Sequence, residues 1–208
     1  MISYKIHLLR CGGAAEGPGQ LYVGQRDLPL SKSGRAALLE LREAGGYPEI
    51  DRLYVSPLAR CMQTAEILYP GYATHTVEGL MDACLGEFEG KSLEQLRETE
   101  EFVGWLQDSR SNPPPGGEKV EDFTARVGAA FDGLVREMMR ERVTSAAVIT
   151  HGGVIMSLMA AVALPRLPLH QWAVAGGCGY TLLTSAQLWM QGGCAEAFAL
   201  LPRQATEQ

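Results

Sequence analysis

The sequence has no run of lysines or arginines, no C-x-x-C pair, no low-complexity tract and no long apolar span. Each absence removes a class of function. With 18 Lys+Arg against 24 Asp+Glu and a net charge of -6, no basic face is available to neutralise a nucleic-acid backbone, so any anion site has to be local. The five cysteines, at 11, 61, 84, 178 and 194, are odd in number and do not pair by spacing. That suggests neither a disulfide framework nor a zinc knuckle and fits a reducing cytoplasm. The longest apolar run, VIMSLMAAVAL from Val154, falls short of the roughly 20 residues that a membrane helix needs. The N-terminus enters a strand-like pattern at once, with no visible targeting signal. What is present is a hydrophobic content of 46% over 208 residues, enough for one substantial core and a single domain over 1–208.

Residues 3 to 9 read as a buried strand. LPLSKSGRAALLELREAGG then predicts a helix capped by Ser31 or Ser33 and closed by the glycines at 45 and 46. The strand RLYVS follows, then Pro57 and a helix to about Leu68, then a short strand THTV. Ser92 and Gln95 have capping-box spacing, which predicts a helix running to about Gln107, before SNPPPGGE forbids helix. Val120, Phe123, Val127, Phe131, Leu134 and Met138 recur at helical spacing, predicting an amphipathic helix from about Glu118 to Arg142. AAVIT is a strand running into HGG and an apolar helix from Val154. Strands from Gly179 to Thr184 and from about Ala197 to Leu201 complete the pattern, with QGG as the turn between them. Strands alternating with helices imply an α/β sheet with helices on both faces.

Two strand ends present a reactive side chain before glycines: HLLRCGG, with Arg10 and Cys11, and VITHGG, with His151. The C-terminal ends of strands are where α/β proteins bind ligands. Arg10, and Arg60 near the start of the helix after SPLA, make a phosphate clamp, because the guanidinium fork donates paired hydrogen bonds to phosphate oxygens. His151 stands where an imidazole leans into the crevice while the N–H groups of Gly152 and the next residue face the same anion. His7, His75 and His170 read as packing or surface residues. LMDACLGEFEG offers Asp82, Glu87 and Glu89 as carboxyl groups able to protonate a leaving oxygen, and spacing does not choose among them. Glu118 reads as the N-terminal charge of a helix.

In this order the segments resemble the histidine phosphatase superfamily, also called phosphoglycerate-mutase-like. LLRCGG stands where that family has its R-H-G strand end, YVGQRDLPLSKSGR resembles G-x-x-D-x-P-L-T-x-x-G, and SPLARCMQTAEIL resembles S-P-L-x-R-x-x-Q-T-A. LMDACLGEFEG, PGGE and VITHGGVI resemble three further segments, so the likeness runs from residue 6 to 155 and is loose beyond. It implies a three-layer α/β/α fold with a mostly parallel central sheet. By position it implies that Arg10, Arg60, His151 and Gly152 hold a phosphoryl group and that Asp82 occupies the place of a proton-donating glutamate. Cys11 falls on the nucleophilic histidine, and Ala14 and Gly17 replace the usual threonine and asparagine, so one loop departs three times.

The resemblance implies a phosphatase-like protein, without metal or cofactor, acting on or binding a small phosphorylated metabolite or inorganic phosphate in the cytoplasm. Mutase activity fits less well, since only about twenty residues separate Arg60 from Asp82, where mutases carry insertions. The cations around Cys11 are expected to lower its pKa below about 8.5. Its sulfur nevertheless lies roughly 1.5 Å closer to the backbone than the far imidazole nitrogen it replaces, and Asp82 is a methylene shorter than glutamate. Impaired or altered catalysis is therefore expected. The alternatives are an inactive phospho-ligand-binding protein and a redox-sensitive thiol protein.

Overall fold

The computed structural model describes residues 2–14 and 21–203; Gly17 lies outside them. Strand β1, Ser3–Arg10, leads through Ser31 into helix α1, Lys32–Ala44. Ser31 is the cap: its hydroxyl accepts from the Gly34 N–H at 2.9 Å, and Gly45 at φ 80° ends the helix. Strand β2, Arg52–Val55, helix α2, Ala59–Leu68, and strand β3, Thr74–Thr76, follow as predicted.

The helix expected from Ser92 to Gln107 is instead two helices, α3, Leu93–Leu96, and α4, Glu100–Gln107. The capping box is formed, with Ser92 and Gln95 satisfying each other's backbone N–H. The Thr99 hydroxyl and N–H then both bond back to the Leu96 carbonyl at 2.8 and 2.9 Å. Those short back-bonds compete with the helical ladder and break it.

The amphipathic helix α5, Val120–Glu141, ends at Arg142 in the left-handed conformation, φ 57°. Strand β4, Ser145–Thr150, helix α6, Gly152–Val162, and the short strand β5, Ala163–Leu164, come next. Strand β6, Gly179–Ser185, is joined to strand β7, Ala195–Leu201, by a helix rather than by a bare turn. This helix α7, Ala186–Gly192, is capped by the Ser185 hydroxyl, and Gly193, at φ 59°, is its left-handed stop. QGG is therefore the end of a helix, because Ser185 starts one seven residues earlier.

The strands form one sheet in the order β3-β2-β4-β1-β6-β7-β5. The β1–β4, β2–β4, β2–β3 and β5–β7 pairs are parallel, and β6 is antiparallel to both neighbours. Alternate residues of the central strands enter opposite cores, as a period of two dictates. Ile6, Leu8, Tyr54 and Val148 pack with residues of α5 and α6, whereas Leu9, Leu53, Val55 and Ile149 pack with α1 and α2. This is the three-layer α/β/α arrangement, buried on both faces as parallel sheets require. Among the described residues, no helix is long and apolar enough to cross a membrane.

Candidate active site

The sheet register builds the site. Arg10 pairs with Thr150, so the next residues, Cys11 and His151, leave adjacent parallel strands side by side; the Cys11 N–H still donates to the Thr150 carbonyl at 2.8 Å. On the other side Val55 pairs with Ile149, and the Ser56 N–H donates to the Ile149 carbonyl at 3.0 Å, which sets Ser56 beside His151. Its hydroxyl lies 2.9 Å from His151 Nε2 and fixes the ring.

A cavity of about 410 Å³ opens at these strand ends, and Arg10, Cys11, Arg60, Asp82, His151 and Gly152 all line it. All the residues that sequence reasoning placed in the site thus converge. Glu87, Glu89 and Glu118 do not line it. Glu87 is exposed. Glu89 accepts from the N–H groups of Gln25 and Leu85, and Glu118 pairs with Arg126 at 2.8 Å. Of these carboxylates, Asp82 is the one that lines the cavity.

Arg60 is 3% exposed and donates to the carbonyls of Gly24 and Arg26 at 2.8 and 2.9 Å, with Asp82 Oδ2 at 3.6 Å. The segment it grips is anchored in turn: Asp27 accepts from the Ala59 N–H at 2.6 Å and thereby caps α2, and the Gln63 side chain accepts from the Leu30 N–H at 2.8 Å. The YVGQRDLPL stretch therefore serves to position Arg60 and the start of its helix. Arg10 is exposed, donates to the Val174 carbonyl at 2.6 Å, and lies over the start of α6. A Cβ at Gly152 would stand 3.2 Å from Arg10 Nε, so glycine leaves room for that guanidinium. The first turn of α6 holds no acidic residue, and its free N–H groups favour an anion.

Cys11 Sγ lies 3.6 Å from His151 Nδ1, and Asp82 Oδ2 lies 3.7 Å from the same nitrogen. Sequence reasoning missed Cys61. It sits on α2 directly after Arg60, is fully buried, and places its sulfur 3.4 Å from His151 Nε2 and 3.9 Å from Nδ1. The only signal in the sequence was a cysteine next to a site arginine. The Cys11 thiol is held well below its ordinary range, first by a hydrogen bond from Cys61 and then, against the opposing effect of burial, by His151 and the Arg60 charge. Burial and the neighbouring sulfur push the Cys61 thiol up. Burial also pushes the Asp82 carboxyl up, against the opposing pull of His151 and Arg60. Thr64 accepts from the Gly12 N–H at 3.1 Å and holds the glycine turn that follows Cys11. A site with two guanidinium groups, an imidazole, a helix N-terminus and a carboxyl group can bind a tetrahedral oxyanion and exchange a proton with it.

Over residues 6–189 the chain matches the histidine phosphatase superfamily, branch 1. It is 25% identical to the adenosylcobalamin/alpha-ribazole phosphatase of Salmonella typhi, over 86% of this chain and 89% of that protein. The crystal structure of the alpha-ribazole phosphatase from Shigella flexneri superposes with a TM-score of 0.80 at 20% identity, covering 98% of this chain and 100% of the other. Phosphoglycerate mutase from Bacillus anthracis str. Sterne gives 0.75 at 17% identity, over 95% and 92% of the two chains. At such identities the two structures show the fold, which is phosphoglycerate-mutase-like.

Proposed function

Because this chain belongs to branch 1 of the histidine phosphatase superfamily, whose members take small phosphorylated substrates, we propose that its cavity binds the phosphoryl group of a small phosphorylated metabolite, or inorganic phosphate, and slowly hydrolyses the monoester through Cys11. The observation that carries the reading is the convergence of Arg10, Arg60, His151 and Gly152 on one cavity, with Cys11 and Asp82 in the same wall. The alpha-ribazole phosphatase of Salmonella typhi is similar over nearly its whole length, which favours hydrolysis over phosphoryl transfer between sugars or acids. The five free cysteines fit the expected cytoplasmic setting.

In this mechanism Arg10, Arg60 and the α6 N–H groups neutralise the phosphoryl oxygens. The Cys11 sulfur attacks phosphorus, the P–O bond to the leaving group breaks, and Asp82 gives its proton to the departing oxygen. Water then attacks phosphorus, the S–P bond breaks, and the proton lost by water returns to Asp82. Inorganic phosphate leaves and the thiolate is restored. The short reach of Cys11 and Asp82 makes in-line geometry poor, and misplacement of about 1 Å costs on the order of a hundredfold in rate.

A second reading, a binding protein without turnover, is favoured by one observation: Asp82 is already engaged by both Arg60 and His151. Hydrolysis of p-nitrophenyl phosphate in the presence of a chelator separates the two. Slow turnover that Cys11→Ser abolishes and Cys11→His increases supports the hydrolase. Turnover only in Cys11→His, with phosphate bound by the native protein, supports the binder. Wild-type rates in Cys11→Ser overturn the thiol mechanism.

A further inference from the structure

We propose that Cys11, Cys61 and His151 form a binding site for a thiophilic divalent cation of the zinc class, with its fourth coordination position open to the phosphate cavity. Among the described residues these three alone bring ligand atoms within 4.8 Å of one another, and all three are buried. Zinc binds thiolate at about 2.3 Å and imidazole at about 2.0 Å in a tetrahedron, which sets nitrogen and sulfur roughly 3.5 Å apart. His151 Nδ1 is 3.6 Å from Cys11 Sγ and 3.9 Å from Cys61 Sγ. Cys61 Sγ is also 3.4 Å from Nε2, so an ion seated on Nδ1 requires the Cys61 side chain to turn towards that nitrogen.

The surroundings match what such a site requires. His151 Nε2 faces the Ser56 hydroxyl at 2.9 Å, so the ring is oriented through that nitrogen, and Nδ1, the nitrogen beside Cys11 Sγ, is the one left for the ion. Cys61 has no exposed surface and closes the back of the site, whereas Cys11 and His151 line the cavity and leave its front open. Asp82 Oδ2, 3.7 Å from His151 Nδ1, stands beside that open position. On binding, Cys11 coordinates as a thiolate and the Cys61 thiol releases its proton to solvent, and the two thiolates cancel the ion's two positive charges. The neutral cluster is therefore compatible with Arg10 and Arg60 lining the same cavity. Two sulfur ligands select zinc-like ions over magnesium or calcium. Occupancy ties up the Cys11 sulfur, so the loaded protein cannot use it as a nucleophile.

Reduced, chelator-treated protein titrated with cobalt(II) in phosphate-free buffer tests the site. The expected result is saturation at one equivalent, with the intense visible bands of a tetrahedral ion and a thiolate-to-cobalt charge-transfer band, both displaced by zinc. Cys61→Ser is expected to weaken binding at least about tenfold and to reduce the charge-transfer band, whereas Cys84→Ser leaves both unchanged. As a readout free of folding artefacts, zinc added to the native protein should slow alkylation of Cys11 while leaving that of Cys84 and Cys194 unaltered. No saturable band, wild-type affinity in a folded Cys61→Ser, or unprotected Cys11 would overturn the proposal.

Discussion

Replacing Arg60 by methionine removes two things at once, and the structure gives the size of each. The side chain is similar in length and apolar, so packing against α2 is largely kept. What is lost is the charged donor to the Gly24 and Arg26 carbonyls, at 2.8 and 2.9 Å, and the partner of Asp82 at 3.6 Å. The Gly24 bond is fully buried, and a hydrogen bond from a charged group is worth about 1.5–3 kcal/mol when its partner is left unsatisfied. The Arg26 bond is only partly buried, and water entering the cavity recovers much of it. The sum is a loss of about 3 kcal/mol. Urea unfolding followed by circular dichroism should show the midpoint falling with an unchanged slope. Calorimetry should show phosphate binding lost in the same variant. Arg60→Lys keeps the charge but cannot reach two carbonyls and a phosphate together, and should recover only part of either. A loss under about 1 kcal/mol would refute the claim that Arg60 holds the segment over its own helix.

Three further outcomes follow. Gly152→Ala places a Cβ 3.2 Å from Arg10 Nε and 3.3 Å from Cζ, so the exposed Arg10 must shift; phosphate affinity should drop several-fold with little change in stability. Burial lowers the pKa of His7 from 6.5 to about 4, with the charges of Arg203 and Lys5 adding to it. As pH falls through 6.5 the unfolded chain takes up a proton that the folded protein refuses until about pH 4, so stability declines across that window by about 3 kcal/mol. Urea midpoints at pH 7 and 4.5 should converge in His7→Gln, and an unaltered pH dependence there would count against His7 as the source. Cys11→His combined with Asp82→Glu should hydrolyse p-nitrophenyl phosphate faster than either single variant, because nucleophile and proton donor then both gain reach; a rate no higher than that of the faster single variant would contradict this.

The central strands and the convergence of the site were legible because both depend on short-range patterns. HLLRCGG and VITHGG each show an apolar strand stopping at glycines, and parallel pairing of two such strands must bring their ends together. Helix α5 was legible from its apolar period. The break at Thr99 was not, since it turns on a threonine hydroxyl choosing the Leu96 carbonyl over solvent, which periodicity does not record. Helix α7 was hidden because its cap, Ser185, is also the last residue of β6. The role of Cys61 was invisible for another reason. A cysteine in a helix reads as a small apolar residue until the fold places His151 and Cys11 against it. The same holds for Asp27, whose capping of α2 spans a gap in sequence. That Asp82 lines the cavity while Glu89 is held by two backbone N–H groups was not legible either, since those bonds span gaps in sequence.

A crystal soaked in phosphate or tungstate tests the oxyanion cradle most directly. The account predicts a single tetrahedral anion in hydrogen-bonding contact with Arg10, Arg60, His151 and the Gly152 N–H, with the Cys11 sulfur facing its central atom. An anion bound elsewhere on the molecule while these groups remain without one, at concentrations that saturate family phosphatases, would contradict it.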